Sequence, residues 1–195
     1  MRYSPLPPVV LAAALSACQA HPELLNSERI QQQFGTYGIE ILRQEDGVRR
    51  SNLYSVEDGG HVCRTYAVVV FTEPLESEVA TTHAAVIGGS SIGTSFRAAG
   101  WRLTKETVYV GSVRLPGPTH EIARLMRLDK GATLGLHAYR LILRKQEQAV
   151  HYATIIESHH PDYISEAELS QLYADDMGKP LDTAAIEILV NLVLN

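Results

Sequence analysis

The stretch VRRSNLYSVEDGGHVCRTYAVVVF, from Val48 to Phe71, decides the fold of this chain. Two apolar, β-branched runs flank Asp58-Gly59, and Asp-Gly between such runs is typical of a β-hairpin turn. With the turn centred on these two residues, Arg64 is expected to lie opposite Leu53. Arg49 and Arg64 then share one face of the hairpin, because side chains alternate along each strand. They are either solvated on an open face or in contact with a bound anion.

The segments around this hairpin alternate between helical and strand patterns. Apolar side chains recur at helical spacing in two segments before residue 100, and a capping-box pattern at Ser165 begins a later helix. Further strands are predicted at residues 36–43, 101–113, 133–144 and 149–159. Strands in meander order with inserted helices predict an α+β fold, with an antiparallel sheet of about six strands and helices mainly on one face.

The N-terminus has the plan of an export signal, with Arg2 before a short apolar run that ends at Ala17. Leu15-Ser16-Ala17-Cys18 resembles the bacterial lipobox, which implies that Cys18 is acylated and begins the mature chain. Gln19 stands where aspartate would favour the inner membrane, so we expect a lipid anchor in the outer membrane that faces the periplasm. An ordinary secretory signal with a coincidental cysteine is the alternative.

Net charge, chain length and cysteine content further limit the partners and the domain organisation that we expect. The chain of 195 residues has a formal net charge of −5, which argues against a nucleic-acid partner. We expect a signal peptide over residues 1–17, a lipidated tether over 18–26 and one domain over 27–195. Cys63 is then the one remaining thiol, and its position within a strand predicts a buried, unreactive side chain.

The two arginines carry a resemblance to a known family. Arg49 opens a strand, a turn follows, and Arg64 stands in the triplet Cys63-Arg64-Thr65 before an apolar run. This arrangement resembles chorismate pyruvate-lyase, in which two arginines so placed face the bound ligand. Ile87-Gly88 and Ser91-Ile92-Gly93 are similar to further motifs of that family, which implies a backbone contact to the ligand at Ile92.

The second hairpin extends the resemblance. Glu157 stands four residues before Pro161, as the active-site glutamate of the family does, whereas alignment from the start of the hairpin would select Thr154. The stretch from Glu121 to Pro161 is also similar to UTRA, the effector-binding domain of GntR-type transcription regulators, with Gly131 at its turn. The resemblance thus implies a chorismate lyase-like fold with a catalytic role for Glu157.

Two arginines with a carboxylate nearby suit a small dianion, because guanidinium pairs with carboxylate in a bidentate way. We therefore expect a lipid-anchored envelope protein that binds a small carboxylated molecule, aromatic or not. One alternative is a lyase acting on chorismate or a related enol-ether acid. The other is a structural module in which Arg49 and Arg64 pair with acidic residues of the same chain.

No motif predicts a cofactor or a metal site. Four histidines fall on or beside the second hairpin, but the sequence contains no HExxH pattern. A zinc site is an alternative that rests only on the positions of His151, His159 and Glu157, whose side chains are expected on the same face of the strand. The four histidines are His137, His151, His159 and His160.

Overall fold

A computed structural model describes residues 24–128, 132–174 and 181–195 of the chain. Six antiparallel strands form one sheet within these ranges. The strands are β1 (Gly38–Glu45), β2 (Val48–Glu57), β3 (Gly60–Phe71), β4 (Arg102–Arg114), β5 (Thr133–Lys145) and β6 (Gln148–His159). The helices are α1 (Asn26–Phe34), α2 (Ser77–Ile87), α3 (Ile92–Ala98), α4 (Glu121–Leu125), α5 (Glu166–Leu172) and α6 (Thr183–Leu194).

The β2–β3 hairpin forms as the sequence predicts, with one irregularity. Asp58 and Gly59 have φ angles of 49° and 76°, the left-handed values that a tight hairpin turn requires. Leu53 pairs with Thr65 and Tyr54 pairs with Cys63, so the expected pairing of Arg64 with Leu53 is wrong. Arg64 is the extra residue of a β-bulge, which turns its side chain to the same face as that of the following threonine.

The strand order is β1-β2-β3-β6-β5-β4, so the predicted meander order is wrong. β3 pairs with β6 rather than with β4, which follows it in the sequence. Two three-stranded halves therefore meet at the centre of the sheet. The helices α2 and α3 lie in the connection between these halves, and β4 becomes an edge strand.

Helices cover the two faces of the sheet unequally, as expected for this α+β fold. We call one side the cavity face, on which Val69, Ile155 and Tyr139 lie at paired positions. Within the described residues, α1, α2, α3 and α5 pack on this face. On the opposite face, Val68 and Ile156 pack against α4 and α6. The sheet is thus buried on both sides, with most of its helical cover on the cavity face.

The start of α1 differs from the predicted tether. The prediction places Asn26 in a tether of residues 18–26, but it is the first residue of α1 and only 7% exposed. The predicted signal peptide, Cys18 and Gly131 lie outside the described residues. Cys63 is fully buried, as predicted, and burial raises the pKa of its thiol. None of the described helices combines the length and apolar character needed to cross a membrane.

Candidate ligand-binding site

A cavity of about 380 Å³ lies on the cavity face, between the sheet and the N-terminal ends of α1 and α3. This volume falls at the lower end of the range of about 300 to 1,000 Å³ that small-molecule sites occupy. Most of its wall is apolar. The apolar lining residues are Leu24, Leu25, Ile39, Leu53, Ala67, Val69, Ile92, Leu103, Leu141 and Ile155.

Arg49 borders this cavity from β2 and is only 1% exposed. Its Nε donates to Ser51 Oγ at 2.9 Å, and its Nη1 donates to the carbonyl oxygens of Val86 at 3.1 Å and Ser90 at 3.2 Å. Within the described part of the chain, Nη2 has no hydrogen-bond partner and no carboxylate lies within salt-bridge distance. Burial lowers the pKa of Arg49, but a guanidinium still stays protonated in proteins. The cavity therefore contains a buried cation that only neutral oxygens contact.

Arg64 lies on the same face of the sheet but does not line the cavity. Its guanidinium forms an ion pair with Glu57, and its Nε donates to Ser55 Oγ at 2.8 Å. The guanidinium carbon also lies 3.8 Å from the centre of the Phe34 ring, a cation–π contact. The two arginines that the sequence groups together thus have different surroundings, and only Arg49 faces the cavity.

Glu157 lines the cavity from β6 and is 4% exposed. Its Oε1 accepts a hydrogen bond of 3.1 Å from Asn26 Nδ2, and its Oε2 lies 3.6 Å from Lys105 Nζ. Burial alone would raise the pKa of Glu157, but the nearby Lys105 cation and the Asn26 hydrogen bond hold it below its usual value. Glu157 is therefore ionised at neutral pH.

The two alignments of the second hairpin predict different site residues, Glu157 and Thr154. Ile155 and Glu157 both line the cavity, and Thr154 lies at the alternate position of the same strand. Its side chain therefore points to the opposite face of the sheet. Alignment from Pro161 thus selects the residue that borders the cavity.

His159 is buried beside Glu157 and Thr65. Its Nδ1 is 2.9 Å from Thr65 Oγ1, and its Nε2 is 3.9 Å from Glu157 Oε2. Burial lowers the pKa of His159 to about 4 even though the carboxylate opposes this shift. The histidine is therefore neutral at pH 7, and its contact with Glu157 is not an ion pair.

Lys105 and Tyr139 also line the cavity, although sequence reasoning assigned no role to either. Lys105 Nζ lies 4.4 Å from the centre of the Tyr139 ring and reaches Glu157 across the sheet. Burial raises the pKa of Tyr139 well above its usual value, and nearby Glu157 raises it further. The predicted meander order does not bring the strand of Lys105 close to the strand of Glu157, so only the observed strand order reveals this contact.

Ile92 lines the cavity as the first residue of α3. The next residue, Gly93, allows α1 to approach, because an added Cβ would lie 2.7 Å from Leu25 Cδ1. At the rim, Arg97 of α3 and Glu28 of α1 form an ion pair at 2.6 Å. Helices α1 and α3 therefore lie side by side along one wall of the cavity.

The histidines of the second hairpin do not converge. His137 Nε2 is 3.2 Å from Thr107 Oγ1, while His160 Nε2 is 3.1 Å from the carbonyl oxygen of Met126. In the described ranges, no group of three or more His, Cys, Asp or Glu side chains is placed to hold a metal ion.

Comparison of this chain with protein-family models, with curated proteins and with solved structures finds no match.

Proposed function

We propose that this chain is a lipid-anchored protein of the bacterial cell envelope that binds a small carboxylated molecule in the cavity beside Arg49. The observation that carries this proposal is the Arg49 guanidinium, which is 1% exposed and has no carboxylate partner among residues 24–128, 132–174 and 181–195. A buried charge without a counter-ion is costly. A ligand carboxylate would supply the missing charge and an acceptor for Nη2.

The remaining wall suits the body of such a ligand. Val69, Ile155 and Leu141 form an apolar floor on the sheet, and Leu25 and Ile92 border the cavity from the helices. Apolar walls with a few polar groups are typical of small-molecule sites, in which the polar groups fix the orientation of the ligand. An aromatic or aliphatic acid fits this arrangement, with its apolar body against the apolar walls and its carboxylate at Arg49.

Calorimetric titration of the full-length chain in detergent tests the proposal. The probes are aromatic and aliphatic monocarboxylates, each paired with its uncharged primary amide. We expect acids to bind at least about tenfold more tightly than their amides, since charge-assisted hydrogen bonds are roughly twice as strong as neutral ones. Arg49→Gln should remove this preference.

Arg64→Gln is the matched control, because it removes a second buried arginine on the same face that does not line the cavity. It should leave the preference for acids unchanged. Equal affinity for acids and amides in the wild-type chain would contradict the proposal, and so would an unchanged preference in Arg49→Gln.

The lipid anchor is tested separately, by labelling cells with palmitate and separating their membranes. The wild-type chain should carry label and sediment with the outer membrane, whereas Cys18→Ala should do neither. Cys63→Ala is the control, since this cysteine is buried in the folded domain. Unchanged sedimentation of Cys18→Ala would contradict lipid anchoring.

A lyase acting on chorismate or a related enol-ether acid is the alternative, and ionised Glu157 at the cavity wall favours it. A carboxylate at this position could accept a proton while Arg49 holds a carboxylate of the substrate. Release of pyruvate from chorismate, lost in Glu157→Gln, would establish this activity. We favour binding over catalysis because binding needs only Arg49. A resemblance in fold is also weaker evidence for a shared reaction than for a shared fold.

A structural module of the envelope, with its arginines paired internally, is the second alternative. The Arg64–Glu57 ion pair has that form, but Arg49 has no such partner among the described residues. The cavity beside Arg49 therefore favours ligand binding over this alternative.

A further inference from the structure

The charges around the cavity are nearly balanced in pairs. Among the residues that the structure describes, four charged side chains line it, three cationic and one anionic. Arg97 at the rim pairs with Glu28, and Lys105 lies 3.6 Å from Glu157. In the part of the chain that the structure describes, Arg49 is the one lining cation without a carboxylate in reach. The cavity therefore has one uncompensated positive charge.

The second arginine that could have bound a dianion is neutralised elsewhere. Arg64 forms its ion pair with Glu57 and lies outside the cavity lining. The bulge at Arg64 and the Phe34 ring over its guanidinium fix this arrangement. Among the described residues, a ligand in the cavity thus has no second guanidinium without a carboxylate partner to contact.

The distance from Arg49 to Glu157 follows from the sheet register. Arg49 pairs with Val69, Val69 pairs with Ile155, and Glu157 lies two residues along β6. Their Cα atoms are thus two strand spacings apart across the sheet and two residues apart along it, roughly 12 Å. A molecule whose carboxylate contacts Arg49 would reach toward Glu157 with its other end.

From this charge arrangement we infer that the cavity selects monocarboxylates over dicarboxylates, with Glu157 as the residue that rejects a second carboxylate. The inference rests on the proposed function and deepens it, because it names the class of acid. Lys105 Nζ and Asn26 Nδ2 already contact the Glu157 carboxylate, so a second anion at this end would compete with Glu157 for these two groups and would face a buried like charge. A neutral donor at the same end, such as a hydroxyl or primary amide, can donate to Glu157 instead.

Terephthalate and its monoamide, terephthalamate, form a matched pair of probes. They have nearly the same shape, but terephthalate has a second carboxylate where terephthalamate has a neutral amide. We expect the full-length chain to bind terephthalamate at least about tenfold more tightly, by calorimetric titration, since like charges at close range disfavour binding.

Two variants assign this selectivity to Glu157. Glu157→Gln should bring the two affinities within about threefold, mainly through tighter binding of terephthalate. Lys105→Met should instead widen the ratio, since it removes the cation beside the carboxylate. The Lys105 variant keeps the inference testable even if Glu157→Gln does not fold.

The outcomes separate this inference from the proposed function. If the wild-type chain binds both probes equally, or prefers terephthalate, selectivity for monocarboxylates is wrong while carboxylate binding stands. If terephthalamate binding does not depend on Arg49, both proposals are wrong. If neither probe binds, the selectivity inference is wrong, and the proposed function is wrong as well when the other monocarboxylates also fail to bind. An unchanged ratio in both the Glu157 and the Lys105 variants would contradict the role of Glu157.

Discussion

Asn26 Nδ2 donates a hydrogen bond of 3.1 Å to Glu157 Oε1, which joins the first turn of α1 to the central strand β6. The two residues are 131 positions apart in the sequence. Asn26 also donates to Thr65 Oγ1 at 3.1 Å, and its Oδ1 accepts from the Tyr163 hydroxyl at 2.5 Å. A single buried amide therefore holds α1 against the sheet at the edge of the cavity.

Replacing this amide should destabilise the whole domain. Asn26→Leu leaves Glu157 and the Tyr163 hydroxyl without their buried partner, and each such loss costs about 1 to 3 kcal/mol. We expect the free energy of unfolding in urea to fall by at least about 2 kcal/mol. Asn191→Leu, at an exposed position of α6, is the control and should change it by less than about 0.5 kcal/mol. Equal effects of the two changes would contradict the role given to Asn26.

His159 should make the stability depend on pH. Burial lowers its pKa to about 4 in the folded chain, whereas an unfolded histidine titrates near about 6.5. The unfolded state thus binds the proton more tightly, so this contribution is complete above about pH 6.5 and is lost as the pH falls toward about 4.

The measurement is the free energy of unfolding at about pH 7 and about pH 5. His159 alone should account for a loss of about 2 kcal/mol over this range. The variant His159→Gln should show a pH dependence smaller by that amount. If wild type and variant lose the same free energy, His159 does not resist protonation in the folded state.

Gly135 in β5 should not tolerate a side chain. A Cβ added there would lie 2.9 Å from Leu169 Cδ1 and 3.0 Å from the carbonyl oxygen of Ile164. Because one of these contacts is to backbone, Gly135→Ala must displace the segment before α5, at a cost of about 1 to 3 kcal/mol.

Gly117→Ala is the matched control, since a Cβ at Gly117 has nothing within 4 Å. Thermal unfolding should show a lower midpoint for Gly135→Ala and an unchanged midpoint for Gly117→Ala. A midpoint at the wild-type value for Gly135→Ala would mean that α5 does not pack as closely on β5 as described.

Local signals made the elements of this fold predictable from sequence. Asp58-Gly59 specified the central hairpin, and the Ser165–Glu168 capping box begins α5 as expected. The pairing of β3 with β6 was not predictable, because it joins strands far apart in the chain through tertiary packing. The bulge at Arg64 was not predictable either, because no residue type in the hairpin indicates it.

The candidate site was predictable only in part. Arg49, Ile92 and Glu157 all line the cavity, whereas Arg64 does not. Arg64 lies on the predicted face because of the bulge and not through regular alternation, and alternation could not show which acidic neighbour pairs with it. Glu57 lies on the same hairpin and forms an ion pair with Arg64, which does not line the cavity. Lys105 was missed because its contact with Glu157 depends on the order of β4, β5 and β6.

We propose that Arg49 holds the carboxylate of a ligand in the cavity, and a crystal structure of the full-length chain with terephthalamate would show this contact. We expect a carboxylate oxygen within about 3 Å of an Arg49 Nη atom, with the amide directed toward Glu157. A carboxylate bound at Arg64, or terephthalamate bound outside the cavity, would contradict it.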